Sequence, residues 1–252
     1  MKVTVITVNL NGNRFLRGAI SSVLLQQSVD LEYLIIDGGS TDGSLETIAE
    51  AAAGDARIRW VSEKDSGISD AMNKGVALSS GEIIGFLHAD DFYHRNDILS
   101  TVTGLMEDHP EALWCTGGLR EVGKGDRVLR EHDVRRFSRR RLLRNNIIFH
   151  PATFVRRKFL LEAGGFDESL QYTMDYDLWL RISAAASPVE VNCHLASFRV
   201  HAGSISSKNR LAALDEEYQV RMRYLNGAVA SCAHALYQFL RRAYETCRPA
   251  RI

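Results

Sequence analysis

Short runs of apolar and β-branched residues recur along the first hundred positions, at residues 3–8, 33–36, 58–61 and 83–87. Between them, over residues 14–27, 44–53, 68–78 and 96–107, the apolar positions return with helical rather than alternating period. Strands alternating with helices of this length predict βαβ units and a mostly parallel α/β sheet covered on both faces. Ligands of such sheets gather at the carboxyl ends of the strands. Candidate functional residues are therefore expected just after Val8, Ile36, Val61 and Leu87.

Each of these ends is polar. Asn9-Leu10-Asn11-Gly12-Asn13 stands after the first strand, and Asp37-Gly38-Gly39-Ser40-Thr41-Asp42-Gly43 after the second. Ser62-Glu63-Lys64-Asp65-Ser66-Gly67 stands after the third, and His88-Ala89-Asp90-Asp91 after the fourth. Asp, Asn, Ser and Gly also make turns and helix caps, so Asp42 and Asp97 are read as caps of the helices behind them. The adjacent carboxylates of Asp90 and Asp91 demand more, because they repel each other unless a cation or several donors stabilise them. Magnesium or manganese is bound in this way, by one or two carboxylates plus the oxygens of a substrate phosphate. Neither G-x-G-x-x-G nor G-x-x-x-x-G-K-[ST] occurs after the first strand, which sets aside dinucleotide-dependent dehydrogenases and P-loop kinases.

Beyond residue 110 the alternation loosens. Residues 113–116 and 153–155 read as further strands, and Asp175-Tyr176-Asp177-Leu178-Trp179 opens another helix. Between them residues 135–144 hold six arginines, either a solvated helix face or a contact for an anionic lipid headgroup or pyrophosphate. Residues 208–246 read as one or two helices with Leu236, Phe239, Leu240 and Tyr244 on one side and Arg241, Arg242 and Arg248 near the end.

Composition sharpens this picture in one respect. Lys+Arg and Asp+Glu are both 31, with 45% hydrophobic residues, which excludes a disordered chain. That neutrality conceals a net charge of −6 over residues 1–100 and +6 over the rest, so the two halves are expected to face different partners. Four scattered cysteines without a C-x-x-C pair read as reduced packing thiols. The apolar run at the N-terminus is far shorter than the roughly 20 residues of a spanning helix, and the expectation is a cytoplasmic chain.

Together the motifs resemble the family 2 glycosyltransferases, especially their bacterial surface-polysaccharide branch. The residues that carry the likeness are Val5-Ile6-Thr7-Val8-Asn9, Ile35-Ile36-Asp37-Gly38-Gly39-Ser40-Thr41-Asp42-Gly43, residues 62–75, Gly85-Phe86-Leu87-His88-Ala89-Asp90-Asp91, and Gly164-Gly165-Phe166-Asp167 with residues 175–181 beyond it. They stand in family order. The resemblance implies a GT-A type, Rossmann-like sheet flanked by helices: a transferase domain over 1–205, with a nucleotide-sugar half (1–110) and an acceptor half (111–205), then a helical extension over 206–252. It implies inverting transfer of one sugar from a nucleoside diphosphate sugar, uridine favoured and guanosine the alternative, to a glycan or polyprenyl-linked acceptor.

The implied residue roles track the motifs. Thr7, Asn9 and Asp37 resemble positions holding base and ribose; Asn11, Lys64, Asp65, Asn73 and Lys74 fall in segments lining the donor pocket. His88 and Asp90 occupy the D-x-D positions, with Asp90 and Asp91 as ligands of manganese or magnesium. Asp175 falls at the catalytic base, with Asp177 as the alternative. His150, Asp177 and His201 lie in segments resembling acceptor-side or phosphate-side loops. No nucleic-acid partner is implied, and peripheral contact with the inner face of an anionic membrane is. Two rival readings are a phospho-acceptor receiver, which needs only about half this length, and an inactive sugar-nucleotide-binding protein of the same fold.

Overall fold

The structure, a computed structural model, describes residues 1–247 apart from 135, 202, 204–208 and 226. Arg135 and Arg248 of the basic segments lie outside the described residues. The first half is the predicted alternation: β1 (Lys2–Asn9), α1 (Asn13–Leu24), β2 (Asp30–Asp37), α2 (Ser44–Gly54), β3 (Ile58–Ser62), α3 (Ile68–Leu78), β4 (Ile83–Phe86) and α4 (Ile98–Asp108). The second half runs β5 (Trp114–Val122), β6 (Val128–His132), α5 (Arg139–Leu142), β7 (Thr153–Arg156), α6 (Arg157–Glu162), α7 (Met174–Ala185), β8 (Val189–Arg199), α8 (Arg210–Met222) and α9 (Ala228–Cys247).

The eight strands form one sheet in the order β3-β2-β1-β4-β7-β5-β6, with β8 paired to β5. β1 to β4 are mutually parallel, β7 enters antiparallel between β4 and β5, and β8 lies parallel to β5. Apolar side chains alternate between two cores, which is why β1 and β2 read as continuous hydrophobic runs. Val3, Val5, Tyr33 and Ile35 face α1, α2 and α4, while Ile6, Val8, Leu34 and Ile36 face α3, α6 and α7. Covering both faces leaves the strand ends as the place where polar chemistry meets solvent.

Several differences from the sequence pattern have physical reasons. Two strands, β6 and β8, have no counterpart in it: β6 is largely exposed on a sheet edge and lacks an apolar run, and β8 breaks its alternation where its register with β5 shifts. The arginine run is a single helical turn and loop instead of a long helix face. Asp42 accepts the Ser44 N–H (3.1 Å) and, through its other oxygen, the Asn13 N–H (2.9 Å), tying together the starts of α1 and α2. Asp97 stands at the N-cap of α4 without capping it, because Arg95 takes its carboxylate at 2.7 and 3.0 Å. Cys115, Cys193 and Cys232 are free thiols.

Candidate active site

The register of the first three strands sets Asn9, Asp37 and Ser62 side by side. Asp37 is fully buried and accepts from Asn9 Nδ2 (2.7 Å), Ser40 Oγ (2.6 Å), Ser62 Oγ (2.8 Å) and the N–H groups of Gly39 and Ser40 (3.0 and 2.9 Å). Burial alone would lift its pKa, but these donors outweigh it and hold the carboxyl below its ordinary value. Its acceptor sites are used up, so Asp37 fixes the loop from beneath and offers nothing to a ribose in this arrangement. Asn9 is buried with it. Thr7 is also buried, donating to the Leu87 carbonyl at 2.6 Å and bonded to Tyr33 Oη at 2.9 Å, so it ties β1 to β4 and lies outside the cleft.

The loops present other groups to solvent. Leu10 is 65% exposed, and Asn11 is exposed with a left-handed φ of 53°, its side-chain oxygen holding the Thr41 N–H at 2.9 Å. Gly38 lies under these residues without room for a side chain, since a Cβ would stand 2.9 Å from Asp65 Oδ2. Lys64 is exposed. Lys74 is not free for a phosphate: its ammonium group pairs with Asp65 (2.6 Å), Glu63 (3.0 Å) and Asp70 (3.3 Å), which raise its pKa. Asn73 likewise leaves the pocket. Its amide clamps the Phe166 backbone by 3.0 and 2.9 Å bonds, fitting against Gly165, whose φ of 65° and missing Cβ let the loop approach.

At the end of β4, Asp90 and Asp91 part ways. Asp90 is partly open and its Oδ2 lies 3.0 Å from His201 Nε2. Asp91 is buried, accepting the Arg199 N–H at 3.0 Å, which ties it to β8; burial and the Asp90 charge push its pKa well up. Arg199, which no sequence motif marks, donates through Nε to the Asp90 carbonyl at 3.1 Å, with its guanidinium carbon 4.7 Å from the Phe15 ring centre and 5.1 Å from Phe92. Phe15 also packs against His201 at 5.0 Å. Only three-dimensional contact assembles this group, from α1, β4 and β8.

The donor set of Asp90 and His201 fits a hard divalent cation that keeps its remaining positions for phosphate oxygens and water. Among the described residues no three His, Cys, Asp or Glu side chains gather into a closed cage.

From β4 a line of rings leads to α7. His88 stacks on His150 (5.1 Å, 11° between planes), and His150 lies 6.0 Å from Trp179. Burial lowers the pKa of both imidazoles, so they are neutral. No described group hydrogen-bonds His88 Nδ1, either nitrogen of His150 or Trp179 Nε1.

Asp175 sits in the first turn of α7, accepting from Asn146 Nδ2 at 3.2 Å and the Tyr176 N–H at 2.7 Å. Burial dominates these bonds and raises its pKa from 3.8 to about 6. Asp177 is committed elsewhere: it is buried, paired with Arg181 (2.8 Å) and bonded by Tyr224 Oη (2.7 Å), locking α7 to α6 and α8. Arg181 continues the lock to the carbonyls of Ala163 and Gly165.

This layout can be set beside known proteins. A profile described as glycosyl transferase family 2 matches residues 4–165, which include the loops after β1, β2, β3 and β4. The chain belongs to glycosyl transferase family 2. An uncharacterized glycosyltransferase of Mycobacterium tuberculosis is 33% identical over 200 residues, covering 78% of this chain and 74% of the relative. Chondroitin synthase of Escherichia coli is 27% identical over 229 residues, covering 91% of this chain but only 33% of the synthase. Among solved structures, residues 1–349 of S. aureus TarS with UDP-GlcNAc superpose with a TM-score of 0.71 at 17% identity, over 97% of this chain and 73% of that fragment. The mannosyltransferase of Pyrobaculum calidifontis with GDP-Man and Mn2+ gives 0.69 at 17% identity, over 96% and 71%. The fold of this family 2 glycosyltransferase is therefore GT-A.

A residue of α8 also bears on the site of this family 2 enzyme. Glu216 of α8 accepts from the N–H groups of Gln171, Tyr172 and Thr173 and from Thr173 Oγ1, all at 2.7–2.9 Å, and so caps the start of α7 from another element. A carboxylate there also meets the positive end of the helix. Glu216→Ala is expected to cost about 1.5–3 kcal/mol of stability, the range for bonds to a charged acceptor. Glu216→Gln should recover part of it, as read by urea unfolding of both variants.

Proposed function

We propose that the chain moves a single sugar from a nucleoside diphosphate sugar to a hydroxyl of a glycan or polyprenyl-linked acceptor, with inversion, in surface polysaccharide assembly. The observation that carries this reading is the carboxylate of Asp175, lifted to about 6, on a helix whose Trp179 is linked through the rings of His150 and His88 to the strand end that bears Asp90. Inversion by direct displacement needs one base on the acceptor side and charge stabilisation on the leaving-group side. Asp175 takes the acceptor hydroxyl's proton. Asp90 and His201 are the residues that would hold manganese or magnesium, and that cation, when bound, supplies charge neutralisation to the departing diphosphate.

The exposed loops after β1, β2 and β3 form the donor half, within residues 1–110. There Leu10 offers an apolar surface to a base, Asn11 and Lys64 offer polar contacts to the nucleotide, and Asp65, paired with Lys74, backs the loop. His88 and His150, neutral and with nitrogens left for bonding, face the sugar or acceptor hydroxyls from residues 88 and 150. Uridine diphosphate sugars are favoured as donors and guanosine diphosphate sugars are the alternative, the classes named for TarS and the archaeal mannosyltransferase.

The test is a panel of uridine and guanosine diphosphate sugars scored by thermal shift and by release of nucleoside diphosphate, each with and without Mn2+. One donor class should raise the melting temperature with Mn2+ present and turn over. Tight, metal-independent binding without release from any donor would mark a sugar-nucleotide-binding protein instead.

A further inference from the structure

Helix α9 carries a face that the described fold leaves open. Leu236, Phe239, Leu240 and Tyr244 are 58–69% exposed, and their spacing puts them on one side of the helix. Its other side is spoken for: Gln238 donates to the Leu214 carbonyl at 2.9 Å, Arg241 pairs with Glu217 at 2.7 Å, and Arg242 pairs with Asp215. Isolated exposed apolar residues are ordinary on a soluble surface; a contiguous stripe of four large ones is a contact surface.

The charge beside the stripe identifies what it meets. Tyr237 Oη donates to Asn145 Oδ1 at 2.7 Å, which brings the end of the arginine segment to α9, while Arg139 ties its middle to Leu180 and Ser183 of α7. Arg136, Arg140, Arg141 and Arg144 are exposed there, and among the described residues none of the four forms an ion pair. By contrast Arg221, Arg223, Arg241 and Arg242, on α8, α9 and the turn after α8, are each matched to a carboxylate. An apolar stripe bordered by unmatched arginines complements lipid acyl chains bordered by anionic headgroups.

We propose that the α9 stripe and Arg136–Arg144 form one surface that docks flat on an anionic bilayer. No described helix is long and apolar enough to cross a membrane, so the contact is peripheral. The inference does not depend on the catalytic reading, since it invokes no residue of the cleft. It would hold the acceptor half of the molecule against a membrane surface.

Flotation of the full chain with phosphatidylcholine vesicles, with and without phosphatidylglycerol, tests it. Binding should require phosphatidylglycerol and weaken as salt rises. The triple variant Arg140→Gln, Arg141→Gln, Arg144→Gln should lose about 100-fold in partitioning, at about fivefold per basic residue. Phe239→Gln with Leu240→Gln should abolish flotation while the melting temperature without ligand stays as in the parent, which also certifies the fold. Equal binding to neutral vesicles, or an unchanged triple variant, overturns the role of the arginines. Absence of flotation together with a dimer that the Phe239/Leu240 variant dissolves in ultracentrifugation overturns the proposal in favour of self-association.

Discussion

Asp175→Asn should lower kcat by roughly 10²–10⁴-fold while leaving donor binding intact, the range for losing a positioned general base. In the parent, activity should fall tenfold per pH unit below about 6, where Asp175 takes up its proton. The same substitution should stabilise the fold. The folded pKa of about 6 lies above the ordinary 3.8, so the native state binds the extra proton between these values. The parent's stability from this group is thus full below about pH 4, declines as pH rises to about 6 and stays lower beyond. A side chain that never ionises escapes that loss. A pKa raised from 3.8 to about 6 corresponds to about 3 kcal/mol, from which about 1 kcal/mol is subtracted for an imperfect replacement of the Asn146 and Tyr176 bonds. Urea unfolding at pH 8 should therefore show Asp175→Asn about 1–2 kcal/mol more stable than the parent, and nearly equal to it at pH 4. Concerted loss of activity and stability would instead make Asp175 a structural cap and move the base elsewhere.

How much of this is legible in the sequence divides along the chain. The four parallel strands and their helices are legible because burial on both faces forces long β-branched runs, as in Val3-Thr4-Val5-Ile6. β6 and β8 are not, since an exposed edge strand and a strand with register shifts do not impose an apolar pattern. Motif positions fall at strand ends, as the alternation predicts, but do not distinguish a residue that touches solvent from one that props the loop. Thr7, Asn9, Asp37, Asn73, Lys74, Asp91 and Asp177 are all engaged with the protein's own groups. A buried Asp with five donors and an open Asp look alike in one dimension. Arg199 and Glu216 escape for the converse reason: each acts on residues more than forty positions away, and no local pattern announces it.

Helices α8 and α9 illustrate the same limit. They read as an appendage, yet Arg221 is fully buried between Glu217 and Tyr176, and Glu216 secures the start of α7. The turn that carries Asp175 is therefore held partly by residues beyond position 205, and removal of those helices would disturb the base before it disturbed the sheet.

The largest effect is expected at Asp90. Asp90→Ala should reduce kcat by about 10³-fold or more, the magnitude for removing a principal electrostatic contact to the leaving group, and should abolish any response of donor binding to Mn2+. Neighbouring acids offer no substitute. Asp91 is buried and bonded to the Arg199 N–H, and His201 Nε2 already lies 3.0 Å from Asp90. Because the Asp90 side chain is 29% exposed and its bonded partner His201 is 22% exposed, stability should change by no more than about 1 kcal/mol. Asp91 predicts the opposite pattern. Asp91→Ala leaves the Arg199 N–H without its acceptor and should cost about 1–3 kcal/mol, whereas Asp91→Asn, whose amide oxygen can still accept that N–H, should keep both the Mn2+ response and most of kcat. Parallel melting curves and Mn2+ titrations of the three variants separate the two roles. Should Asp91→Asn lose the Mn2+ response while Asp90→Ala retained it, the open and buried acids of this strand end would have to exchange places in the site.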